Sequence, residues 1–177
     1  MRAFVAIEVG PPAVEGERPR PPMHLTLQFL GEVPDDRLPG IAGSLRDAVR
    51  DFPSFELTLA GVGAFPSPEA PRVVWVGVTE GREPLIRLAH RVQASLGEAG
   101  VRAPAATFVP HVTLFRVRSA RDRRRARLLL DGSEEPPAPR TVPVTEIRLK
   151  QSVLMPAGPI HRTLETVPLS RAPPPKH

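Results

Sequence analysis

The chain has no cysteine among its 177 residues. Disulfide bonds, thiolate catalysis and cysteine-ligated zinc sites are therefore excluded. Long apolar runs are also missing: the opening stretch MRAFVAIEVG is too short for a secretory signal, and no later run reaches membrane-spanning length. The sequence predicts a cytoplasmic protein that does not enter a membrane.

Lysine is nearly missing, because only Lys150 and Lys176 are lysines among the 24 basic residues and the other 22 are arginines. With 19 acidic residues the formal net charge is +5. The planar guanidinium group fits phosphate oxygens, so this excess is typical of a protein with a polyanionic partner. A GC-rich genome that encodes arginine in place of lysine explains the same excess, and charge alone does not decide between the two.

Proline, by contrast, is abundant: 24 of the 177 residues are prolines, far above the usual share of about 5%. The prolines cluster between periodic segments, which is typical of stiffened loops. Residues 10–23 carry five of them, so we predict no long helix there. The last cluster lies in residues 171–177, which we interpret as a Pro-rich C-terminal tail.

Hydrophobic periodicity predicts the same order of elements twice: a motif strand, a helix and two further strands. The predicted strands are 2–9, 23–33, 54–65, 72–78, 106–117, 145–154 and 160–169, and the predicted helices are 41–52, 82–100 and 119–132. We therefore predict an α+β fold, a bilobal pseudo-twofold arrangement of antiparallel sheets with outer helices. It forms one domain over residues 1–170, with a central cleft between the two motif strands.

Two of the five histidines begin the same local pattern, HLTL at His24 and HVTL at His111. Side chains alternate between the two faces of a strand. Each histidine therefore shares a face with the threonine two positions later, Thr26 or Thr113, while the apolar residue between them anchors the strand from behind. Two such strands place two imidazoles and two hydroxyls around one point.

That arrangement suits in-line displacement at a phosphodiester. One imidazole takes a proton from the attacking nucleophile, and the other gives a proton to the leaving oxygen. The threonine hydroxyls can donate to phosphoryl oxygens, where negative charge accumulates. The mechanism requires no metal ion or other cofactor, and no acidic cluster in the sequence is suited to holding Mg²⁺.

The other three histidines are interpreted differently. His161 begins HRTL, but Arg162 replaces the apolar anchor, so we predict a structural or supporting role. His90 lies within a predicted helix among apolar residues and is expected to pack there. His177 ends the Pro-rich tail.

With both motifs identified, the chain resembles the two-histidine phosphoesterase superfamily. More narrowly, it is similar to the bacterial and archaeal RNA 2′,3′-cyclic phosphodiesterases, also called 2′-5′ RNA ligases. The resemblance covers almost the whole chain in the family's order, through RAFVAIEV, HLTLQFLGEV, GAFPSPEAPRVVWVGV, HVTLFRV and SVLMPAGPIHRTL.

The resemblance implies an enzyme that opens the 2′,3′-cyclic phosphate at an RNA end to a 2′-phosphate. In that mechanism His111 activates water and His24 protonates the departing 3′ oxygen. The phosphate-binding residues it implies are Thr26, Thr113 and Arg116, and Phe65, Arg72 and Trp75 are candidates for the nucleotide side. The expected partners are RNA with cyclic or 2′-5′-linked ends, or cyclic nucleotides, bound by a monomer.

Arg116, five residues after His111, matches an arginine that the family uses near the phosphate, and the sequence departs from the family at two points. Relatives usually carry a helix where this chain has the proline-rich residues 10–23. The family's tyrosine in the last hairpin is replaced by His161. Strict alternation places Arg116 on the face opposite His111, so Arg116 reaches the phosphate only if the strand bulges or ends before it.

Three other interpretations remain open. The same site supports 2′-5′ ligation or 2′-5′ bond cleavage, because these reactions share intermediates. A non-catalytic RNA- or nucleotide-binding module is the second, with its phosphate-tracking face formed by Arg121, Arg123, Arg124, Arg125 and Arg127. The third is a metal hydrolase that uses His24 and His111 as ligands, although no further residue has ligand-like spacing.

Overall fold

The computed structural model describes residues 1–10, 23–102, 107–155 and 158–171. The expectations for the segment 10–23 and for the tail 171–177, including His177, therefore fall almost wholly outside the described residues. The elements are, in chain order, β1 (Arg2–Glu8), β2 (His24–Glu32), a 3-10 turn (Asp35–Arg37), α1 (Leu38–Val49), β3 (Phe55–Phe65), β4 (Val73–Glu80), α2 (Arg82–Glu98), β5 (His111–Arg116), α3 (Ala120–Leu130), β6 (Arg140–Val144), β7 (Glu146–Met155) and β8 (Gly158–Pro168).

The strands form one curled antiparallel sheet in the order β6-β3-β4-β5-β2-β1-β7-β8. The two motif strands, β2 and β5, meet at its centre, where Leu25 pairs with Val112. Each motif strand is followed outward by three further strands, so the sheet divides into two halves of four. The predicted α+β class with pseudo-twofold halves is confirmed, and the two halves are joined in a single sheet.

The halves of the sheet do not correspond to the halves of the chain. The β3–β4 hairpin follows the first motif in sequence, yet β4 pairs with β5. The β7–β8 hairpin follows the second motif, yet β7 pairs with β1. Each motif strand is thus supported by strands from the other part of the chain, and the site forms only when both parts have folded together.

Helices α1 and α2 cover one face of the sheet, and they pack against the face that carries Leu25 and Val112. The side chains they bury include every position of the predicted stripes, namely Ile41, Leu45, Ala48 and Val49 on α1 and Leu85, Leu88, Ala89, Val92 and Leu96 on α2. None of the helices that the structure describes is long and apolar enough to cross a membrane. His24 and His111 belong to the opposite face of the sheet.

Helix α3 begins at the predicted N-cap. The Ser119 hydroxyl accepts from the Asp122 amide at 3.1 Å, and the Asp122 carboxylate accepts from the Ser119 amide at 2.8 Å. This reciprocal pair is a capping box, which satisfies two amides at the helix start. Ala126 and Leu129 then pack the helix against Val74 of β4.

Apart from shifts of a few residues at the ends of elements, two predictions differ from the structure. Strand β6 was not predicted, because the prolines around it indicate a loop. β6 is an edge strand of the sheet. An edge strand tolerates a residue such as Pro143, which has no amide hydrogen, because one side of the strand has no neighbouring strand to bond. Strand β5 is shorter than the predicted 106–117 and begins only at His111, directly after Pro110, which has no amide hydrogen to donate.

We predict that Gly81→Ala is strongly destabilising. Gly81 has φ of 72°, and an added Cβ would lie 2.1 Å from the Glu56 carbonyl oxygen. The left-handed backbone alone costs a residue with a side chain about 1–2 kcal/mol. The free energy of unfolding, measured in urea, should therefore fall by about 2 kcal/mol or more.

Gly43→Ala is the matched control, because Gly43 lies within α1 and an added Cβ there meets nothing within 4 Å. This substitution should raise the free energy of unfolding by about 0.5–1 kcal/mol. Equal effects of the two substitutions would contradict the steric explanation.

Candidate active site

The two motif strands present their polar side chains on the face opposite the helices. Leu25 and Val112 are 0% and 2% exposed, and both belong to the main core. His24, Thr26, His111 and Thr113 are only partly buried. The predicted alternation of each motif is thus present, and the apolar residue of each motif holds its strand against the core.

The pairing of Leu25 with Val112 determines how the two motifs meet. In antiparallel register it sets His24 across from Thr113 and Thr26 across from His111, so each imidazole faces the other motif's hydroxyl. The two histidines then occupy the diagonal of this square, where residues are about 7–8 Å apart and their Cβ atoms are somewhat closer. A phosphoryl group fits between imidazoles at that separation.

His111 has a defined hydrogen-bond partner. Its Nδ1 lies 2.7 Å from the carbonyl oxygen of Val109. A carbonyl only accepts, so Nδ1 carries the hydrogen and the lone pair of the neutral ring is on Nε2. That tautomer leaves Nε2 able to accept a proton.

Aromatic rings surround His111. The centroid of Phe65 lies 4.8 Å from that of His111 in an edge-to-face arrangement, and the centroid of Trp75 lies 6.1 Å away. Trp75 rests across Gly63, where an added Cβ would lie 2.3 Å from the indole ring. The sequence left open whether Trp75 belongs to the core, and the structure places it beside His111 on the motif face.

His24 has a different environment. The ring of Phe4 is centred 5.0 Å from it, and the ring of His161 is centred 4.8 Å from it, edge to face. The pKa of His24 is lowered from 6.5 to about 4, first by burial and then by the nearby His161 and Lys150, while Glu8 opposes the shift. In the free protein His24 is therefore neutral at pH 7.

A charged cluster that the sequence analysis did not identify lies next to His24. Glu8 is the direct partner of His24 across β1 and β2, and its carboxylate accepts from both Lys150 and Arg148. Burial opposes the charge on Glu8, but the two cations outweigh burial and lower the pKa of Glu8. Lys150 is only 3% exposed. The sequence feature that could have identified Lys150 is a lysine, one of only two in the chain, within the strand IRLKQSVL.

Arg116 reaches the motif face because β5 bulges. The pairing of β5 with β4 shifts by one residue, so Leu114 is left over between Thr113 and Phe115. An extra residue reverses the alternation that follows it. Phe115 therefore packs behind the sheet, and Arg116 lies on the face of His111 with an exposed side chain. This is the condition under which the sequence analysis expected Arg116 to contribute.

Arg72 lies at the same end of the sheet. Its amide donates to the Phe65 carbonyl at 2.8 Å, and its carbonyl accepts from the Val117 amide at 2.9 Å. The backbone of Arg72 therefore bridges the ends of β3 and β5, and its exposed side chain starts close to Arg116.

The other two histidines that the structure describes, His161 and His90, lie in different surroundings. His161 lies against His24 and Phe4, which is consistent with a supporting position. The expectation that His90 packs in the core was wrong, because His90 is exposed on α2 between the buried positions of the stripe. Among the described residues no group of three or more His, Asp or Glu side chains is arranged to hold a metal ion.

The chain is similar in sequence to several known proteins. The model of the 2′-5′ RNA ligase superfamily matches residues 9–152. The RNA 2′,3′-cyclic phosphodiesterase of Aeropyrum pernix is 41% identical over 144 residues, which are 81% of this chain and 80% of that protein. The RNA 2′,3′-cyclic phosphodiesterase of Archaeoglobus fulgidus is 37% identical over 183 residues, covering 93% of this chain and 98% of that protein.

Solved structures show the same fold. A crystal structure from Thermus thermophilus superposes with a TM-score of 0.70 at 29% identity, covering 96% of this chain and 98% of that chain. Escherichia coli LigT complexed with 3′-AMP gives a TM-score of 0.67 at 26% identity, with the same coverage. On the family match and on these relatives, the chain belongs to the 2′-5′ RNA ligase superfamily.

Proposed function

We propose that the protein hydrolyses the 2′,3′-cyclic phosphate at an RNA end to a 2′-phosphate, without a metal ion. The observation that carries this function is the pairing of Leu25 with Val112, which brings two imidazoles and two hydroxyls to one face of the sheet. The relatives in Aeropyrum pernix and Archaeoglobus fulgidus are RNA 2′,3′-cyclic phosphodiesterases by name. Residues 1–170 act as one domain, and we expect a cytoplasmic monomer.

His111 acts as the general base. The hydrogen on its Nδ1 is directed to the Val109 carbonyl, so Nε2 accepts a proton from water as the water oxygen attacks phosphorus. The bond between phosphorus and the 3′ oxygen breaks, and the phosphate remains on the 2′ oxygen.

His24 acts as the general acid that gives its proton to the 3′ oxygen. In the free protein its low pKa leaves the ring neutral, because burial and Lys150 disfavour its positive charge. A bound phosphodiester brings a negative charge close to the ring, and an opposite charge at a few ångströms raises the pKa of a histidine. His24 therefore becomes protonated when substrate is present.

The remaining site residues position the substrate. The Thr26 and Thr113 hydroxyls donate to the non-bridging oxygens, where charge increases during attack, and Arg116 adds a cation on the same face. The rings of Phe65 and Trp75 offer surfaces on which a base can stack, and Arg72 lies beside them.

The same site also supports 2′-5′ ligation and 2′-5′ bond cleavage. If the 5′ hydroxyl of a second RNA takes the place of water, the acid and base steps yield a 2′-5′ bond, and their reversal cleaves one. We propose hydrolysis as the main reaction, since water competes with any RNA hydroxyl. Escherichia coli LigT binds 3′-AMP, which supports nucleotide binding in this cleft.

We predict that His24→Ala and His111→Ala each lower turnover by about 100- to 10,000-fold, the usual contribution of a general acid or base. The assay uses chelator-treated protein and an RNA that ends in a 2′,3′-cyclic phosphate, with 2′- and 3′-phosphate products resolved. Wild-type protein should give the 2′-phosphate only. Loss of activity in chelator with rescue by Zn²⁺ or Mn²⁺ would refute the metal-free mechanism, and tight RNA binding without turnover would favour a binding module.

The pH dependence of kcat/KM reports on the free protein, and the pH dependence of kcat reports on the substrate complex. The protonated fraction of His24 falls as pH rises above its pKa of about 4, so kcat/KM should decline on the alkaline side by about tenfold per pH unit. Because bound phosphate raises the pKa of His24, the alkaline limb of kcat should lie at higher pH than that of kcat/KM. A flat profile between about pH 5 and 9, or two coincident limbs, contradicts the assignment of His24 as the acid.

His161→Ala should retain most of the activity, losing far less than the factor of about 100 expected for a general acid or base. Since the imidazole of His161 lowers the pKa of His24, its removal should also move the alkaline limb of kcat/KM to higher pH. Measured beside His24→Ala, an equally large loss would mean that His161 is itself catalytic.

A further inference from the structure

Helix α3 carries an unusual concentration of positive charge. Its 11 residues include five exposed arginines and one acidic residue, Asp122. The Asp122 carboxylate is occupied by the backbone amides of Arg118 and Ser119. The α3 arginine surface is defined by Arg118, Arg121, Arg123, Arg124 and Arg127.

The arginines elsewhere on the surface are arranged differently. Many of them pair with a carboxylate, and these pairs are Arg2–Glu32, Arg46–Glu165, Arg50–Asp47, Arg87–Glu83 and Arg91–Asp51. The members of the α3 arginine surface make no ion pair with any residue that the structure describes. Arg125, next to them, stacks over Phe115 and lies 3.8 Å from Glu134. Arg121 and Arg127 interact electrostatically with Asp122 and Asp131 but form no close ion pair with them. A genome that favours arginine explains the number of arginines but not this lack of close pairs.

Like charges on one helix repel each other. Arg121 and Arg124 are three positions apart and Arg123 and Arg127 are four apart, so both pairs are neighbours on the helix surface and destabilise it. A polyanion bound along the helix would relieve this repulsion. The arrangement therefore favours a partner that carries several negative charges in a row.

The α3 arginine surface begins directly after the end of β5 that carries Arg116, while the helix itself packs behind the sheet against Val74. Arg116 lies on the motif face at the end of β5, and the next residue, Val117, donates its amide to the Arg72 carbonyl at 2.9 Å. Arg118 follows, and α3 begins at Ala120. With a rise of 1.5 Å per residue, the helix adds about 16 Å of basic surface beyond this point.

We propose that the α3 arginine surface binds the phosphate backbone of the RNA chain on the 5′ side of the end that is hydrolysed. The preferred substrate is then an RNA of several nucleotides and not a cyclic mononucleotide. The assignment rests on the proposed function, since it extends the same site. Arginine suits this task because its fork of donors matches phosphate oxygens and does not depend on the base sequence.

The test compares one variant with a matched control. The variant carries Arg121→Gln, Arg124→Gln and Arg127→Gln. The control loses the same charge through Arg50→Gln, Arg82→Gln and Arg87→Gln, which are exposed positions at the C-cap of α1 and on α2. Each protein is assayed for kcat/KM on adenosine 2′,3′-cyclic phosphate and on an RNA of about 12 nucleotides with a cyclic phosphate end, over a range of salt concentrations. Urea unfolding checks that all proteins are folded.

The α3 variant should lose about tenfold or more in kcat/KM on the RNA at low salt, with the cyclic mononucleotide unaffected. Its plot of log kcat/KM against log salt should be less steep by about two, because each lost contact to a single strand removes about 0.7 from the slope. The control should behave as wild type. An equal loss on both substrates, an unchanged slope, or the same loss in the control would overturn the proposal.

A binding measurement keeps this test separate from the proposed function. Fluorescence anisotropy with the same RNA ending in a plain 3′-phosphate needs no turnover. If wild-type protein hydrolyses neither substrate, the proposed function fails, and salt-sensitive binding that is lost only in the α3 variant still supports the surface. Equal affinity of wild type and variant for this RNA would overturn the proposed RNA-binding surface. A variant that binds the RNA normally and loses affinity only for vesicles of anionic lipid would overturn it too.

Discussion

One pairing at the centre of the sheet, between Leu25 and Val112, is the contact on which the rest of the site depends. Both side chains are buried against α1 and α2, so burial of apolar surface holds the two motif strands side by side. The same alternation that buries them turns His24 and His111 to the other face. The arrangement of the candidate site is thus a consequence of core packing: the residues that stabilise the fold also determine the spacing of the imidazoles.

The two motifs are nearly identical in sequence, but the fold gives their histidines different surroundings. His24 lies in a partly buried site next to the Glu8–Lys150–Arg148 cluster, and this environment lowers its pKa. His111 lies beside Phe65 and Trp75, with its tautomer set by the Val109 carbonyl. The pseudo-twofold symmetry brings the imidazoles together, and the departures from that symmetry give them the different environments on which the proposed acid and base roles rest.

Ion pairs are unevenly distributed among the surface arginines. Most ion-paired arginines lie on or next to α1 and α2, where exposed pairs add little to stability. The arginines of the α3 arginine surface remain without such partners among the described residues and follow directly on Arg116. The position of these charges after Arg116, more than their number, supports the proposed contact of the helix with RNA.

The sequence by itself determined the elements and the motifs. The stripes of α1 and α2, the cap at Ser119 and the shared face of each His-Thr pair follow from local periodicity, which short-range sterics impose on any chain. The tertiary structure alone decided what depends on residues distant in sequence. The bulge at Leu114 that returns Arg116 to the motif face, the contact of His161 with His24 and the burial of Lys150 beside Glu8 arise from pairing between strands. No local pattern records which strands will become neighbours, and the exchange of hairpins between the two halves of the sheet could be decided only by the packing of the whole chain.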